Sequence, residues 1–334
     1  MGGPAPSVAA TRVALRNSLR GVRSPVLVAC SGGPDSMALA CAAAFVAPRL
    51  GLTAGLVTVD HGLQPGSAAR ALDVRAWGKE IGLDPVLVST VDTTGRPGGP
   101  EAAAREARYE ALVSAARDSG AVVLLGHTLE DQAETVLLAL ARGAGPRGLA
   151  GMPARRTRDG VEFLRPFLSV SRTRIRAACD ELGLTPWDDP HNSDPAYSRA
   201  RVRAALPVLA EILGPDVVRN LARTAGLVAE DVAALDALAA AVTVGAGGLE
   251  VAELAALVPA VRTRVLRAFA LRLGAPGGAL SSKHIDALDA LVMDWRGQGP
   301  VALPGGIEVS RRGARLSGPG RSTGTRAESP PPGG

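Results

Sequence analysis

Cysteine is scarce in this chain of 334 residues: Cys30, Cys41 and Cys179 are all there is, and no C-x-x-C pair occurs. That excludes a disulfide framework and a paired-cysteine metal or redox motif, and it suits a reducing compartment. Cys30 and Cys41 stand in apolar surroundings and read as small core residues rather than nucleophiles. Aromatic residues are 3% of the chain, too few for a platform on which a long single strand would stack. Lysine is nearly missing, with only Lys79 and Lys283, so arginine carries the positive charge. The longest apolar run, residues 37–48, falls well short of the ~20 residues that span a bilayer. Residues 1–10 lack the charged start and apolar segment of a secretory leader, so the sequence implies a cytoplasmic protein and no membrane.

What is present is ample core material, 46% apolar, in a chain long enough for two domains. Net charge is +5, and the arginines cluster. Arg155, Arg156, Arg158, Arg165, Arg172, Arg174 and Arg176 crowd one stretch; Arg199, Arg201 and Arg203 alternate in another. Charge of this kind fits a nucleic-acid partner and a solvated surface equally well.

From residue 24 to about 142 the text alternates apolar runs with helical periods. Strands are expected at 25–30, 55–60, 85–91 and 121–126, and helices at 36–47, 68–81, 101–119 and 129–142. This alternation implies an α/β fold with a doubly wound, mainly parallel sheet covered on both faces. A further strand at 162–167 and helix at 171–182 close that domain, and residues 186–197 read as a polar rim. Beyond residue 206 the pattern turns helical, at 216–242, 251–273 (broken at Pro259) and 282–295, before a hairpin at 301–309. In the last helix Ile285, Leu288, Leu291, Val292 and Trp295 form a core stripe. Residues 317–334 have the composition of a disordered tail.

The most informative motif is Ser31-Gly32-Gly33-Pro34-Asp35-Ser36, directly behind the first apolar strand and ahead of a helix. A strand that turns through two glycines into a helix aims backbone N–H groups at one point, where a phosphate is the natural guest. Ser31 and Ser36 add hydroxyls, and Asp35 can hold Mg²⁺. No lysine follows, which separates this loop from the common G-x-x-x-x-G-K-[ST] form. Asp60-His61-Gly62 and His127 fall behind the second and fourth strands, the edge at which such sheets bind ligands. The helix after His127 has Leu129, Ala133, Val136, Leu137 and Leu140 as its apolar stripe. Asp131 and Glu134 lie together on the far side. Those carboxylates could hold a metal or an ammonium group; equally, Asp131 could complete a capping box with Thr128 while Glu134 is solvated. Arg105 and Arg108, one turn apart, could grip an anion, or Arg105 could simply pair with Glu101.

The loop resembles that of the ATP pyrophosphatases. Together with Asp60-His61-Gly62-Leu63, Glu101-x-x-x-Arg105-x-x-Arg108-Tyr109, His127 to Thr135, Arg142 to Met152, Arg165-Pro166-Phe167 and Trp187 to Arg203, it resembles the tRNA(Ile)-lysidine synthetases over roughly residues 24–209, and more weakly to residue 316. Thr128 and Glu130 stand where that family usually has His and Asp, and Ala200 replaces an Asn. The resemblance implies a PP-loop fold and a carbon–nitrogen ligase. Such an enzyme adenylates O2 of the wobble cytidine in a CAU anticodon with ATP and Mg²⁺, then attacks C2 with L-lysine. It implies pyrophosphate on Ser31, Gly32, Gly33, Pro34 and Ser36, with Asp35 on the metal and Asp60 and His61 near adenosine. Arg105, Arg108, His127, Asp131 and Glu134 would be catalytic, and Arg165, Arg199, Arg201 and Arg203 would contact tRNA. Domains are expected at 1–23 (leader and first helix), 24–209 (catalytic), 210–316 (helical, tRNA-binding) and 317–334 (tail). Monomer and homodimer both stay open. So do a tRNA-thiolating enzyme, a small-molecule synthetase and a non-catalytic nucleotide module.

Overall fold

The computed structural model describes residues 4–62, 66–93, 99–188, 194, 196–242 and 248–318. The chain divides into two compact units, residues 1–229 and 230–334. In the first, α1 (Pro6–Ser18) precedes β1 (Val26–Ala29), α2 (Pro34–Arg49), β2 (Ala54–Asp60), α3 (Ser67–Glu80), β3 (Val86–Thr90), α4 (Pro100–Ser119) and β4 (Val122–Leu124). Next come α5 (Leu129–Ala141), the short α6 (Pro146–Leu149), β5 (Arg155–Arg158), β6 (Val161–Leu164), α7 (Arg172–Glu181) and α8 (Ser198–Leu213). The division between units falls inside α9 (Val217–Ala240).

Six strands form one sheet in the order β3-β2-β1-β4-β6-β5, parallel except for β5. All four residues of β1 are buried because successive side chains enter opposite layers. Val26 and Val28 join Leu15, Leu39 and Ile175 of α1, α2 and α7. Leu27 and Ala29 join Leu112, Val113 and Tyr109 of α4. The doubly wound reading is thus correct, and its strands lie within a residue or two of the expected bounds, save for β4 and β6, which stop two or three residues short. It missed β5, whose Arg-Arg-Thr-Arg text has no apolar period because this edge strand is largely exposed.

The second unit holds β7 (Leu249–Glu250), α10 (Val251–Ala256), α11 (Pro259–Arg272), α12 (Ser282–Met293), β8 (Val301–Leu303), β9 (Ile307–Arg312) and β10 (Arg315–Ser317). Pro259 ends one helix and opens the next at its N1 position, where its missing N–H has no partner to lose. The expected hairpin is part of a four-stranded antiparallel sheet, β7-β10-β9-β8. Ser317, read as the start of the tail, belongs to its strand β10; residues 319–334 lie outside the described residues. Ile285, Leu288, Leu291 and Val292 are buried as the stripe required, whereas Trp295 lies beyond the end of α12 and is 39% exposed. Among the described residues no helix is long and apolar enough to cross a membrane.

Candidate active site

The Ser31–Ser36 loop leaves β1 at the carboxyl edge of the sheet. Gly32 adopts φ +83°, and a Cβ there would stand 3.1 Å from Val74 Cγ2. Gly33 is the N-cap of α2 and Pro34 opens it, with no side chain capping the first-turn N–H groups. They stay available to an anion, in line with the helix dipole. Ser36 ties the loop together: its hydroxyl donates to the Gly33 carbonyl at 2.9 Å and accepts from the Ser31 N–H at 3.2 Å. From outside, the Trp187 N–H donates to the Gly32 carbonyl at 2.9 Å. The Arg70 guanidinium lies 3.2 Å over the Trp187 ring. Gly126, at the end of β4, presses on this turn; a Cβ there would come 3.0 Å from the Asp35 carbonyl.

A cavity of about 750 Å³ opens at this edge. Ser31, Gly33, Pro34, Asp35 and Ser36 make one wall, and Arg108, His127, Asp131, Arg199 and Arg203 make the others. Asp60, His61, Arg105, Glu134, Arg165 and Arg201 do not line it. Arg199 and Arg203 are four apart on α8 and share its inward face. Arg201, between them, turns away to the Ala196 carbonyl at 3.1 Å. Arg105 is exposed and stacks on Tyr109, 5.2 Å from the ring centroid. The Glu101 side chain lies outside the described residues, as do Leu63 and residues 189–193. Arg165 is only 4% exposed; its Nη1 donates to the Pro153 carbonyl at 2.8 Å and its Nε has no partner. A hydrogen bond from Ser67, joined by the Gly62 N–H donating to Asp60 Oδ1 at 2.9 Å, holds the Asp60 carboxyl below its usual range.

The Thr128 capping box on α5 is formed: the Asp131 N–H donates to Thr128 Oγ1 at 3.3 Å, and the Thr128 N–H donates to Asp131 Oδ2 at 2.8 Å. The cap uses only Oδ2, so Asp131 completes the capping box while its Oδ1 faces the arginines at the cavity. Arg172 Nη2 donates to that Oδ1 at 2.7 Å and to Glu134 Oε1 at 3.3 Å. Arg203 Nε donates to Glu134 Oε1 at 3.0 Å. Glu134 is fully buried, so the reading of it as solvated is wrong. The stripe expected on α5 needs the same correction: Ala133 and Val136 are buried, but Leu140 is 51% exposed. The arginines of α7 and α8 and the Met152 backbone, which bonds Gln132 in both directions, cover the polar face instead.

Electrostatics follow from this packing. Burial and the neighbouring Asp131 charge push the Asp35 carboxyl up to about 6, and its Oδ1 is buried with no hydrogen-bond partner. An orphaned carboxylate oxygen beside a phosphate cradle fits a divalent cation. Among the described residues no three His, Cys, Asp or Glu side chains converge as a self-sufficient metal cage, so an ion here would share its shell with phosphate oxygens. Burial pushes His127 down to about 3, Arg165 and Arg108 adding to the effect, so its imidazole is neutral at working pH. Burial favours the protonated form of Asp131, but Arg172 and the Thr128 N–H outweigh it and hold the carboxyl below its usual range.

Sequence reasoning missed Arg172 and Arg176 as cavity residues, reading the Arg155–Arg176 cluster as charge that suits a nucleic-acid partner or a solvated surface. Much of that charge is spent internally: Arg155 pairs with Glu162 at 2.7 Å, Arg158 with Glu106, and Arg176 with Asp188 at 2.8 Å. The signal available was the surplus of carboxylates on α5, which needed cations from elsewhere in the chain.

Residues 9–209 match the family model of a PP-loop domain, and residues 249–317 match that of a TilS substrate binding domain. The tRNA(Ile)-lysidine synthase of Salinispora tropica is 64% identical over 94% of this chain and 96% of its own length. The chain belongs to the tRNA(Ile)-lysidine synthase family. Members from Thermobifida fusca and Streptomyces coelicolor are 56% and 53% identical, over 95% and 94% of this chain and 98% of each relative. Among solved structures, a U34-tRNA thiolase from Methanococcus maripaludis superposes with a TM-score of 0.54 at 16% identity, covering 67% of this chain and 80% of that one. That likeness is one of fold. The first unit is accordingly the family's PP-loop ATP-binding domain.

Proposed function

We propose that the cavity at the carboxyl edge of the first sheet carries both half-reactions of lysidine formation. The chain is an ATP-dependent ligase acting on tRNA(Ile). What supports this placement is one juxtaposition: a phosphate-binding turn and a carboxylate–guanidinium cluster face each other across a single cavity. In the first half-reaction O2 of the wobble cytidine in a CAU anticodon attacks the α-phosphorus of ATP, and pyrophosphate leaves. The α2 N-terminus, Ser31 and Ser36 hold the departing phosphates, and Arg108 meets charge building on nonbridging oxygens. Asp35 would hold Mg²⁺, which supplies further neutralisation of the phosphates when bound. Asp60 and His61 lie behind the adenosine end.

In the second, the L-lysine amine attacks C2 and AMP leaves. Free lysine is protonated, with a pKa of ~10.4. Asp131 Oδ1 receives the ammonium, Glu134 supports it from behind, and the proton passes to carboxylate as the C–N bond forms. His127 stays neutral and serves as a hydrogen-bonding wall. Arg199 and Arg203 meet the tRNA at the cavity rim with Arg201 beside them; Arg105 adds positive charge outside, and Arg165 steadies Tyr109 from beneath. A thiolation reading finds little support in the thiols. Burial pushes Cys41 up to about 11 and Cys179 up to about 12, and Cys30 is buried in β1's exit.

The test is incorporation of radiolabelled lysine into isoleucine tRNA bearing CAU, with ATP and Mg²⁺, by wild type and Asp35→Ala. Labelling that needs ATP and Asp35, and is lost when the wobble base becomes uridine, is expected. Pyrophosphate release without lysine labelling would move the nucleophile elsewhere.

A further inference from the structure

The first 59 residues contain five arginines, Arg12, Arg16, Arg20, Arg23 and Arg49, and a single carboxylate, Asp35. Asp35 opens α2 inside the cavity, whereas Arg49 closes the same helix. Sixteen residues separate the helix ends, about 24 Å at 1.5 Å per residue. Arg12 and Arg16 stand one turn apart on α1, which packs on α2, and Arg20 and Arg23 follow on the way to β1. Arg16, Arg20, Arg23 and Arg49 are exposed, and Arg12 is half-buried. Among the described residues none of the five forms an ion pair. The one neighbouring carboxylate that touches α1, Glu181, is taken by the Val8 N–H at 3.0 Å.

Two of these charges are held together against their repulsion. The guanidinium carbons of Arg12 and Arg49 each lie 3.5 Å from the centroid of the Phe45 ring. They are therefore separated by no more than twice that distance. Arg49 Nη1 also donates to the Phe45 carbonyl at 2.7 Å, which fixes its side chain. Like charges stacked on one ring without a carboxylate leave an unanswered positive field, and a phosphate is the group that two guanidinia answer best. Five arginines of the same unit contrast with them: Arg155, Arg158, Arg172, Arg176 and Arg203 all have acidic partners.

We propose that the arginine stripe of α1 and the end of α2 is a second tRNA contact, receiving sugar–phosphate backbone outside the anticodon stem–loop while the wobble base occupies the cavity. This rests on the tRNA substrate proposed above. The stripe is a helix length, about 24 Å, from the phosphate loop, so the phosphates it receives are not those beside the reacting base. Contacts of this kind position the nucleic acid and carry no base information.

The experiment compares wild type with the R12Q/R16Q/R20Q/R49Q variant in binding of labelled whole tRNA(Ile) and of its anticodon stem–loop alone, across a salt series, without ATP or lysine. The single variant Arg16→Glu, on an exposed side chain, repeats it should the quadruple variant fold poorly. Expected is a loss of tenfold or more for whole tRNA and a salt slope smaller by roughly 2–3, with stem–loop binding unchanged. Unchanged binding of both RNAs overturns the proposal, leaving a solvated surface. Equal loss on both overturns its placement, and loss of binding to anionic phospholipid vesicles with tRNA binding intact assigns the stripe to a membrane surface instead. Because binding is read without chemistry, failure of lysine incorporation by the wild type is a separate result.

Discussion

Arg203 on α8 donates its Nε to Glu134 Oε1 on α5 at 3.0 Å, and the acceptor is wholly shut off from solvent. A carboxylate in that position is tolerable only while guanidinia face it. Glu134→Ala strands two arginines at once and is expected to lower stability by about 3 kcal/mol in urea denaturation. Arg172→Met should cost more than Arg203→Met, because Arg172 meets Asp131 Oδ1 at 2.7 Å where Arg203 reaches it only at 3.5 Å, and its side chain is 19% exposed against 36%. The reverse order would mean that Arg203 is the principal counter-charge.

Asp35 predicts a trade between stability and activity. Its carboxyl titrates near 6 in the folded protein and near 3.9 when unfolded. Between those values the folded state holds a proton that the unfolded state has released. The stabilisation is present at low pH and lost as pH rises through 6. Asp35→Asn removes this penalty, so without ligand its Tm at pH 7.5 should exceed wild type by a few degrees, the difference closing below pH 4. Affinity for ATP with Mg²⁺ should fall in the wild type as pH drops below 6, measured by calorimetry.

His127 gives the opposite acid-side behaviour. Burial holds its imidazole near 3 in the folded chain, so the unfolded state takes up a proton first as pH falls through ~6.5. Stability is lost on that side, and His127→Gln should flatten the loss between pH 6.5 and 4. In a proton NMR titration the His127 ring should show no inflection between pH 5 and 8, and lysine incorporation by His127→Gln should keep the wild-type pH profile.

Gly32→Ala tests the phosphate turn. Its φ of +83° would cost about 1–2 kcal/mol with any Cβ, and that Cβ would press on Val74 Cγ2 at 3.1 Å. ATP binding should weaken tenfold or more. Adding Val74→Ala should relieve the contact but not the dihedral, so rescue should be partial; full rescue would show that crowding alone set the effect.

The phosphate turn was legible because its local determinants follow one another in the chain: an apolar strand, two glycines, and a proline that opens the helix; the Trp187 and Gly126 contacts that brace it from elsewhere were not. The cover over α5 was not. Glu134 finds its cations 38 and 69 residues away, and no local period reports such a distance. Helix α8 hid for a different reason. Arg199, Arg201 and Arg203 alternate with period two, which imitates an extended strand, and Pro207 sits inside the helix. Only the helix explains why the outer two arginines meet the cavity and the middle one does not. In the second unit the helices were read from their apolar faces, while β7 and β10, two and three residues long, are too short to carry a pattern.

Those two short strands have a consequence for how the protein is made. Leu249 pairs with Leu316, and β10 lies between β7 and β9, so the last described strand is an inner member of its sheet. A nascent chain halted before Arg315 would carry β7 with no neighbour to receive it and β9 with one edge bare. The second unit can therefore complete its sheet only after synthesis has passed Ser317, and a product cut short of that point carries an open sheet edge, a template for pairing with another chain.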